Sequence, residues 1–341
     1  MEVYLMKKRF LRDLEVSPIG MGCMGFSHGY GKVPEESYAV EAIHKAHDFG
    51  CTFFDTAEGY GKEQFYAGHN EELLGKALAP FRKDVVLATK FHIGEIASLE
   101  DVVLYDVIRQ HLEASMKRLQ TDYVDLYYLH RLNENVPVEA VAEVMGKLKK
   151  EGLIRGWGLS QISAETLKKA DEVTPVSAVQ NLYSMVERDC EKEIFPYCAE
   201  HGIGVVPFSP IASGLLSGKI TTETKFDAAD DVRKFVPQLT KENIAANQPI
   251  LDMLAKYSAL KNAASAQICL AWMLHKYPNV VPIPGSKNQE RILENLGAWN
   301  VELTDTEFAE LEQALDACTV YGHRGHVESE QTSFGKNWAK K

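Results

Sequence analysis

Short β-favouring runs alternate with amphipathic helical segments through most of this chain, and this alternation constrains the fold more than any other feature. Alternating strands and helices joined by short connections indicate a parallel sheet covered by helices. Eight such units in succession fit a closed (β/α)8 barrel better than an open doubly wound sheet. We therefore predict an α/β fold, a TIM barrel, with strands at Ile19–Phe26, Cys51–Asp55, Val85–Lys90, Val124–His130, Ile154–Leu159, Val176–Gln180, Ile203–Phe208 and Val280–Ile283.

A helix is predicted after each strand, from apolar side chains at helical spacing and from suitable residues at the helix ends. Ser163 is a plausible N-cap, and Gly202 and Gly297 follow two of the helix ends. The predicted helices are Pro34–Gly50, Asn70–Ala79, Asp106–Leu119, Pro137–Lys150, Ser163–Asp171, Glu187–His201, Ser265–Tyr277 and Asn288–Leu296.

Three stretches lie outside this rhythm. Arg9–Gly20 has two short apolar runs and is predicted to form a hairpin that caps the barrel. Ser209–Ser258 is a long loop after the seventh strand, and Asp305–Lys341 is a helix followed by a polar tail. Because no linker separates these parts, we predict one domain over residues 1–341, with the barrel at about residues 16–300.

Composition excludes several functional classes. The net charge of −11 argues against a surface that binds nucleic acid. The six cysteines form no Cys-x-x-Cys pair, which indicates reduced thiols. No signal peptide is evident, and the uncharged stretch His201–Gly218 is interrupted by prolines and glycines, so it is a poor membrane span. We predict a cytoplasmic protein that binds neither nucleic acid nor membranes.

Four ionisable side chains stand at or just after the ends of three adjacent predicted strands. Asp55 ends the second strand and Tyr60 follows between two glycines, while Lys90 and His130 end the third and fourth strands. Taken singly, each has a structural explanation: a turn cap, a residue at the barrel mouth, a lysine that reaches solvent, a buried histidine. Active sites of such barrels lie at the carboxyl ends of the strands. Four ionisable groups at one rim therefore predict an active site.

The chemistry that suits these side chains is acid catalysis at a carbonyl group. A tyrosine with its ordinary pKa of about 10 is a reluctant proton donor. The Lys90 ammonium is expected to lower the pKa of Tyr60, and Asp55 to pair with Lys90 so that burial is tolerated. His130 could orient the carbonyl. Because none of these groups can deliver hydride, we predict a nicotinamide cofactor.

The residues Phe54-Asp55-Thr56-Ala57, Tyr60-Gly61, Lys90 and Tyr128-Leu129-His130 together resemble the aldo-keto reductases. The intervals of 5, 30 and 40 residues match the spacing of the Asp, Tyr, Lys and His tetrad of that family. The resemblance extends from about Val16 to Asn300. It implies reduction of an aldehyde or ketone, with Tyr60 as the general acid and NADPH as the cofactor.

The resemblance also implies that NADPH lies across the barrel mouth. No Gly-x-Gly-x-x-Gly motif opens a helix after the first strand, so a Rossmann fold is not expected. The loop Ser209–Lys219 has the small residues and backbone N–H groups that suit a pyrophosphate. Lys287 and Arg291 lie four apart where the last barrel helix begins, which favours a 2′-phosphate and therefore NADPH over NADH.

Beyond the phosphate contacts, three further kinds of cofactor contact are predicted. By resemblance, Ser160, Gln161 and Gln180 hold the nicotinamide carboxamide, Phe208 stacks on the nicotinamide, and the adenine meets two residues of the last helix. The full set is Gly22, Cys23, Met24, Ser160, Gln161, Gln180, Phe208, Ser209, Pro210, Ile211, Ser213, Gly214, Leu215, Ser217, Gly218, Lys219, Gly285, Ser286, Lys287, Gln289, Arg291, Glu294 and Asn295.

Two alternatives stay open. By the same resemblance, the chain could be a nucleotide-sensing regulatory subunit, since some members of that family are subunits of potassium channels. It could also be a barrel hydrolase that uses carboxylates such as Asp55 and Glu58. No metal site is predicted, since His44 and His47 suit an outer helix surface. The sequence is compatible with both a monomer and a small homo-oligomer.

The substrate is expected to be a small carbonyl compound. The loops expected to shape the substrate pocket are His28–Lys32, Phe91–Leu99, Thr221–Thr240 and Val320–Lys341.

Overall fold

The structure, a computed structural model, describes residues 8–94, 96 and 98–325, with Asp101 described by its backbone alone. An antiparallel hairpin comes first, formed by β1 (Arg9–Leu11) and β2 (Leu14–Val16). Seven parallel strands then pair in the order of the sequence. They are β3 (Met21–Gly22), β4 (Phe53–Asp55), β5 (Val86–Phe91), β6 (Val124–Leu129), β7 (Ile154–Ser160), β8 (Ala178–Gln180) and β9 (Gly204–Val205).

The predicted eighth strand, Val280–Ile283, closes the barrel without forming a regular strand. Parallel bridges join Val280 to Val205 of β9 and Gly285 to Gly22 of β3. Backbone hydrogen bonds complete the closure, from Val281 N to Val205 O at 2.8 Å and from Gly20 N to Pro282 O at 2.9 Å. Prolines at 282 and 284 lack the N–H that a continuous ladder requires, which is why only bridges form. The eight-unit (β/α)8 prediction is confirmed.

The first predicted strand, Ile19–Phe26, is too long. Only β3 is a strand, and a 3-10 helix at Met24–Phe26 follows it. A side chain at Gly22 would place its Cβ only 2.8 Å from the backbone oxygen of Ile283. The closest approach of the first and last barrel segments therefore depends on a glycine at this position.

Eleven α-helices occur within the described residues, and two of them lie where the sequence predicted only a loop. The helices α7 and α8 form in the insertion after β9, and α8 begins with Pro249 in its first turn, where no N–H is needed. The helices are α1 (Glu36–Asp48), α2 (His69–Leu78), α3 (Leu104–Leu119), α4 (Val138–Lys150), α5 (Ala164–Val173), α6 (Ile194–Glu200), α7 (Lys241–Ala246), α8 (Gln248–Lys261), α9 (Ser265–Lys276), α10 (Gln289–Leu296) and α11 (Asp305–Asp316).

The predicted helix Glu187–His201 is much shorter than expected. A 3-10 helix at Asp189–Glu191 comes first, and only α6 is α-helical. Pro196 lies in the first turn of α6. A helix that began earlier would place this proline in its interior, where its ring would clash with a carbonyl one turn before.

The apolar interior has two parts, one between the strands and helices and one inside the barrel. The predicted hairpin at the N-terminal side is present, and its Leu11 and Leu14 pack into the barrel interior. A Cβ at Gly204 would lie 2.3 Å from Leu11 Cδ2, so the hairpin fits closely under the barrel. The hairpin fills this end of the barrel, and the carboxyl ends of the strands lie at the other.

Within residues 8–94, 96 and 98–325, no helix is both long enough and apolar enough to cross a membrane.

Candidate active site

Lys90 is the centre of the polar cluster at the carboxyl ends of the strands. Its Nζ lies 2.5 Å from Asp55 Oδ1, 2.7 Å from Thr56 O and 3.2 Å from Tyr60 Oη. The Lys90 side chain is 0% exposed, so it does not extend to solvent. A buried ammonium is tolerated here because a carboxylate and two further oxygens surround it.

Asp55 joins Lys90 to the opposite side of the barrel. Its second carboxylate oxygen, Oδ2, accepts a hydrogen bond of 2.8 Å from Gln180 Nε2 at the end of β8. Burial raises the pKa of Asp55, although Lys90 and Gln180 both oppose this. Burial alone would lower the pKa of Lys90, but Asp55 and Tyr60 together outweigh it and raise the pKa. Lys90 therefore keeps its proton at neutral pH.

The pKa of Tyr60 is raised, whereas the sequence predicts that Lys90 lowers it. Burial raises the pKa of Tyr60, and the Lys90 ammonium lowers it by less than burial raises it. The predicted net decrease in the pKa of Tyr60 is therefore wrong, because desolvation of the phenolate outweighs the charge of Lys90. The phenol is protonated at neutral pH, which is the form that can donate a proton.

His130 stands beside Tyr60 at the same rim. The two rings meet edge to face, with centroids 5.9 Å apart and an interplanar angle of 81°. Burial, followed by the charges of Arg131 and Lys90, holds the pKa of His130 well below its usual range. The imidazole is thus neutral. Its Nδ1 is buried and has no hydrogen-bond partner among the described residues.

A cavity of about 390 Å³ opens over Asp55, Tyr60 and His130. It extends from the tetrad along the loop after β9 to the N-terminal end of α10. The predicted cofactor residues that line it are Gly22, Met24, Ser160, Gln180, Phe208, Ser209, Pro210, Ile211, Ser213, Gly214, Ser217, Lys219, Gly285, Ser286, Lys287, Arg291, Glu294 and Asn295.

Five predicted cofactor residues do not line this cavity. Cys23 and Leu215 are buried beneath it, and Gly218 is exposed beside it. The Gln289 amide is directed towards α1, where its Nε2 lies 3.2 Å from Tyr38 O. Gln161 is buried, and its Oε1 accepts a hydrogen bond of 3.0 Å from Leu182 N.

One buried polar atom of the cavity lining bears on whether a dinucleotide fits. Ser213 Oγ has no hydrogen-bond partner among the described residues. Ser213 also has a left-handed backbone, with φ of 54°, as do its neighbours Ala212 and Gly214. A bound dinucleotide offers phosphate oxygens, which are the acceptors that this hydroxyl lacks. The residues present therefore fit a dinucleotide.

Lys287 and Arg291 both reach the far end of the cavity. Lys287 Nζ donates to Tyr30 O at 2.6 Å and to Lys32 O at 2.5 Å, so it ties the loop after β3 to the N-terminal end of α10. Asn288 caps this helix by accepting a hydrogen bond of 2.9 Å from Arg291 N. A helix N-terminus with two cations is a site for an anion.

Glu58 does not share the cavity with Asp55. Its carboxylate accepts hydrogen bonds from His92 N at 2.7 Å and from His111 Nδ1 at 2.8 Å, and it is absent from the cavity lining. Two carboxylates that flank one substrate bond, as in a glycoside hydrolase, are therefore not present at these two positions.

Several lining residues escaped the sequence analysis. Arg131 could have been recognised, because it directly follows His130. Arg324 lies far along the chain and has no motif around it. Three of the loops expected to shape the substrate pocket each contribute one lining residue, namely Tyr30, Arg233 and Arg324, and residues 326–341 of the last loop lie outside the described residues. The lining residues that no prediction covered are Gly25, Arg131, Ala266, Ile283 and Pro284.

Asn70 is a further residue that sequence reasoning missed. It is completely buried at the start of α2, and its backbone N–H donates to Tyr60 O at 3.3 Å. Its side chain accepts from Thr56 Oγ1 at 2.6 Å and donates to Cys23 O at 2.9 Å and Ser27 Oγ at 2.8 Å. Asn70 thus holds the Tyr60 loop against both Thr56 and the loop after β3.

Comparison with known proteins agrees with this geometry. The model of the aldo/keto reductase family matches residues 18–316. A probable aldo-keto reductase 1 from Glycine max is 36% identical over 317 residues, which are 92% of this chain and 89% of that protein. A glycerol dehydrogenase from Gluconobacter oxydans superimposes with a TM-score of 0.80 and 27% identity, over 92% of this chain and 96% of that one. An aldo-keto reductase from Klebsiella pneumoniae, crystallised with NADPH, has a TM-score of 0.70 and 26% identity, over 94% of this chain and 100% of that one. The chain belongs to the aldo/keto reductase family.

Proposed function

We propose that the protein reduces aldehydes or ketones to alcohols with NADPH, and that Tyr60 is the general acid. The observation that carries this proposal is the buried Lys90, whose Nζ contacts both Asp55 and Tyr60 beneath a cavity that fits a dinucleotide. A tyrosine hydroxyl beside a buried ammonium is typical of an active site, because burying a charge contributes little to packing.

Each side chain has a distinct role in this reaction. Bound NADPH supplies a hydride to the carbonyl carbon. The neutral His130 imidazole donates a hydrogen bond that orients the carbonyl oxygen, and the Tyr60 phenol gives its proton to that oxygen as it becomes an alkoxide. An alkoxide is far more basic than a phenolate, so the raised pKa of Tyr60 does not prevent the transfer. Lys90 stabilises the phenolate that is left, and Asp55 holds Lys90 in place.

The cofactor would be held by residues along the whole cavity. Phe208, which lines the cavity, offers an aromatic face to the nicotinamide. Ser213 would contact the pyrophosphate, while Lys287 and Arg291 would contact the 2′-phosphate.

The direct test is NADPH consumption by the purified full-length chain with a panel of aldehydes, quinones and ketones. We expect oxidation of NADPH in equal amount to the alcohol formed. NADPH binding without turnover of any carbonyl compound would instead support the nucleotide-sensing alternative, and release of a sugar from a glycoside without cofactor would support the hydrolase.

Replacement of Lys287 and Arg291 together by alanine is expected to abolish the preference for NADPH over NADH. Each hydrogen bond to a charged group contributes about 1.5–3 kcal/mol, which is roughly a ten- to hundredfold change in binding per contact. The ratio of kcat/KM for the two cofactors measures the effect.

Lys219→Ala is the matched control for this pair. Lys219 lines the same cavity, and its Nζ lies 3.3 Å from Glu294 Oε1. If it faces the pyrophosphate, which both cofactors share, the variant should weaken NADPH and NADH alike. An unchanged cofactor ratio in the double variant would refute the 2′-phosphate assignment.

Asn70→Ala is expected to lower kcat by roughly a hundredfold. The backbone N–H of Asn70 that contacts Tyr60 O remains, but the side-chain bonds that hold this part of α2 in place are lost, and a small misplacement of Tyr60 costs about that much. The change also leaves Thr56 Oγ1, Cys23 O and Ser27 Oγ without their present partner, which should lower the free energy of unfolding by about 1–3 kcal/mol. Steady-state kinetics and urea unfolding measure the two effects.

Asn279→Ala separates these effects. Asn279 Nδ2 donates to Ile203 O at 2.9 Å, just before the barrel segment that starts at Val280, far from the tetrad. This variant should lose stability and keep kcat. An Asn70 variant that lost only stability would contradict the positioning role.

A further inference from the structure

The charges that line the cavity are unevenly distributed. Among the described lining residues the acids are Asp55 and Glu294, and each is already in an ion pair, with Lys90 and Lys219 respectively. Arginine and lysine side chains are more numerous, in a chain whose net charge is −11. These cations are Arg131, Lys219, Arg233, Lys287, Arg291 and Arg324.

Four of these cations have assignments elsewhere. Lys219, Lys287 and Arg291 face the cofactor phosphates in the proposed function. Arg233 is neutralised locally, since its Nε and Nη2 donate to the two carboxylate oxygens of Asp231 at 2.9 and 2.6 Å. Arg131 and Arg324 remain, and the proposed function gives neither guanidinium group a role.

Arg131 is held beside the reacting groups. It follows His130 directly, and its Nη1 donates to His130 O at 2.5 Å and to Ser160 Oγ at 3.1 Å. These bonds fix the guanidinium across the ends of the adjacent strands β6 and β7. Its charge already lowers the pKa of His130, after the larger effect of burial, so it acts at the same end of the cavity as the tetrad.

Arg324 comes from the segment after α11 and is held over the same end. The backbone N of Arg324 donates to Glu187 Oε1 at 2.6 Å, and His323 O accepts from Gln238 N at 3.2 Å. Asn247 makes two further bonds to the backbone of Tyr321, at 2.9 and 3.0 Å. The segment is therefore tethered to the insertion after β9 and to the loop after β8.

This tethering directs the Arg324 side chain to the nicotinamide end. Its Cζ lies 5.6 Å from the ring centroid of Phe208, the residue proposed to stack on the nicotinamide. Its Nε is buried and has no hydrogen-bond partner among the described residues. A buried guanidinium donor without a partner is costly unless a ligand supplies an acceptor.

We propose that the substrate of this site is a carbonyl compound that carries an anionic group, a carboxylate or a phosphate, and that Arg131 and Arg324 receive this anion. Guanidinium groups bind both anions in a planar, bidentate manner. The anion would hold the molecule so that its carbonyl oxygen lies between Tyr60 and His130. This inference rests on the proposed reductase function and adds the class of substrate.

The test compares pairs of aldehydes in which one member carries an anionic group and the other does not, with NADPH and the full-length protein. Para-carboxybenzaldehyde is paired with the neutral para-carbamoylbenzaldehyde, and phosphorylated glyceraldehyde with glyceraldehyde. We expect the anionic member of at least one pair to have a kcat/KM roughly ten- to hundredfold higher, mainly through a lower KM. The pair that shows the preference identifies the anion.

Arg324→Met should reduce the preference for the anionic aldehyde by about tenfold or more. Arg324→Lys should retain part of this preference, because lysine keeps the positive charge but cannot make the planar, bidentate contact of a guanidinium group. Lys147→Met is the matched control. It removes the same charge from an exposed position in the last turn of α4, and the preference should persist.

Equal or higher kcat/KM for the neutral member of both pairs in the unmodified protein would overturn the inference and leave the reductase function intact. An Arg324→Met variant that lowers kcat/KM equally for both members would overturn it as well. Failure of every carbonyl compound, charged or neutral, to be reduced would contradict the proposed function itself.

Discussion

Tyr60→Phe should lower kcat for carbonyl reduction by roughly a hundred- to ten-thousandfold, the range that a positioned general acid contributes. The substitution removes only the phenol hydroxyl group, whose oxygen lies 3.2 Å from Lys90 Nζ at the cavity wall. The phenyl ring keeps its packing beside His28 and His130, so the fold should not change. Steady-state NADPH oxidation measures the loss, and fluorescence titration should show NADPH binding unchanged.

The pH dependence of the unmodified protein provides an independent check on this role. The protonated phenol is the active form for reduction, so activity should fall as pH rises through the pKa of Tyr60. Since burial raises the pKa of Tyr60, the basic limb of kcat/KM should lie at higher pH than the ordinary tyrosine pKa of about 10 would place it. A Tyr60→Phe variant with unmodified kcat, or a basic limb near pH 7, would contradict the assignment of Tyr60 as the acid.

Lys90→Met should remove most of the activity and also destabilise the protein. The change leaves the Asp55 carboxylate buried without its ion pair, and breaking a buried pair in this way costs about 3–5 kcal/mol. The phenolate of Tyr60 loses the ammonium that stabilises it, so kcat should fall by roughly the same factor as in Tyr60→Phe. Urea unfolding and NADPH oxidation measure the two losses.

The double variant Lys90→Met with Asp55→Asn distinguishes the two consequences. Replacing the carboxylate by a neutral amide removes the uncompensated charge, so much of the lost stability should return. Activity should not return, because no ammonium faces Tyr60. Recovery of activity in the double variant, or a failure to regain stability, would show that the pair of Lys90 and Asp55 does not work as described.

The fold could be predicted because it depends on repeated local patterns. Each barrel strand is a short β-favouring run and each helix has its own apolar spacing, so (β/α)8 follows from periodicity. The errors lie where the local pattern is weak. Val280–Ile283 could not form a regular strand because two prolines lie within and next to it. The helices α7 and α8 were not predicted because they depart from the pattern of one helix after each strand, since they precede α9 in the connection after β9.

The tetrad could be proposed for a related reason. Parallel strands bring their carboxyl ends to one rim, so Asp55, Lys90 and His130 were expected to be neighbours, and the structure brings them together with Tyr60. Their catalytic roles stay predictions. The direction of the pKa shift of Tyr60 was predicted wrongly, because the degree of burial is not visible in a strand pattern.

The alternation of elements and the order of ionisable residues thus determined the barrel, its open end and the residues at its rim. Only the tertiary structure decided which side chains outside the strand ends reach that rim. Arg324 lies near Phe208 because Glu187, Gln238 and Asn247 hold its backbone segment there. Such placement depends on hydrogen bonds between residues distant in the chain, and no local periodicity records them.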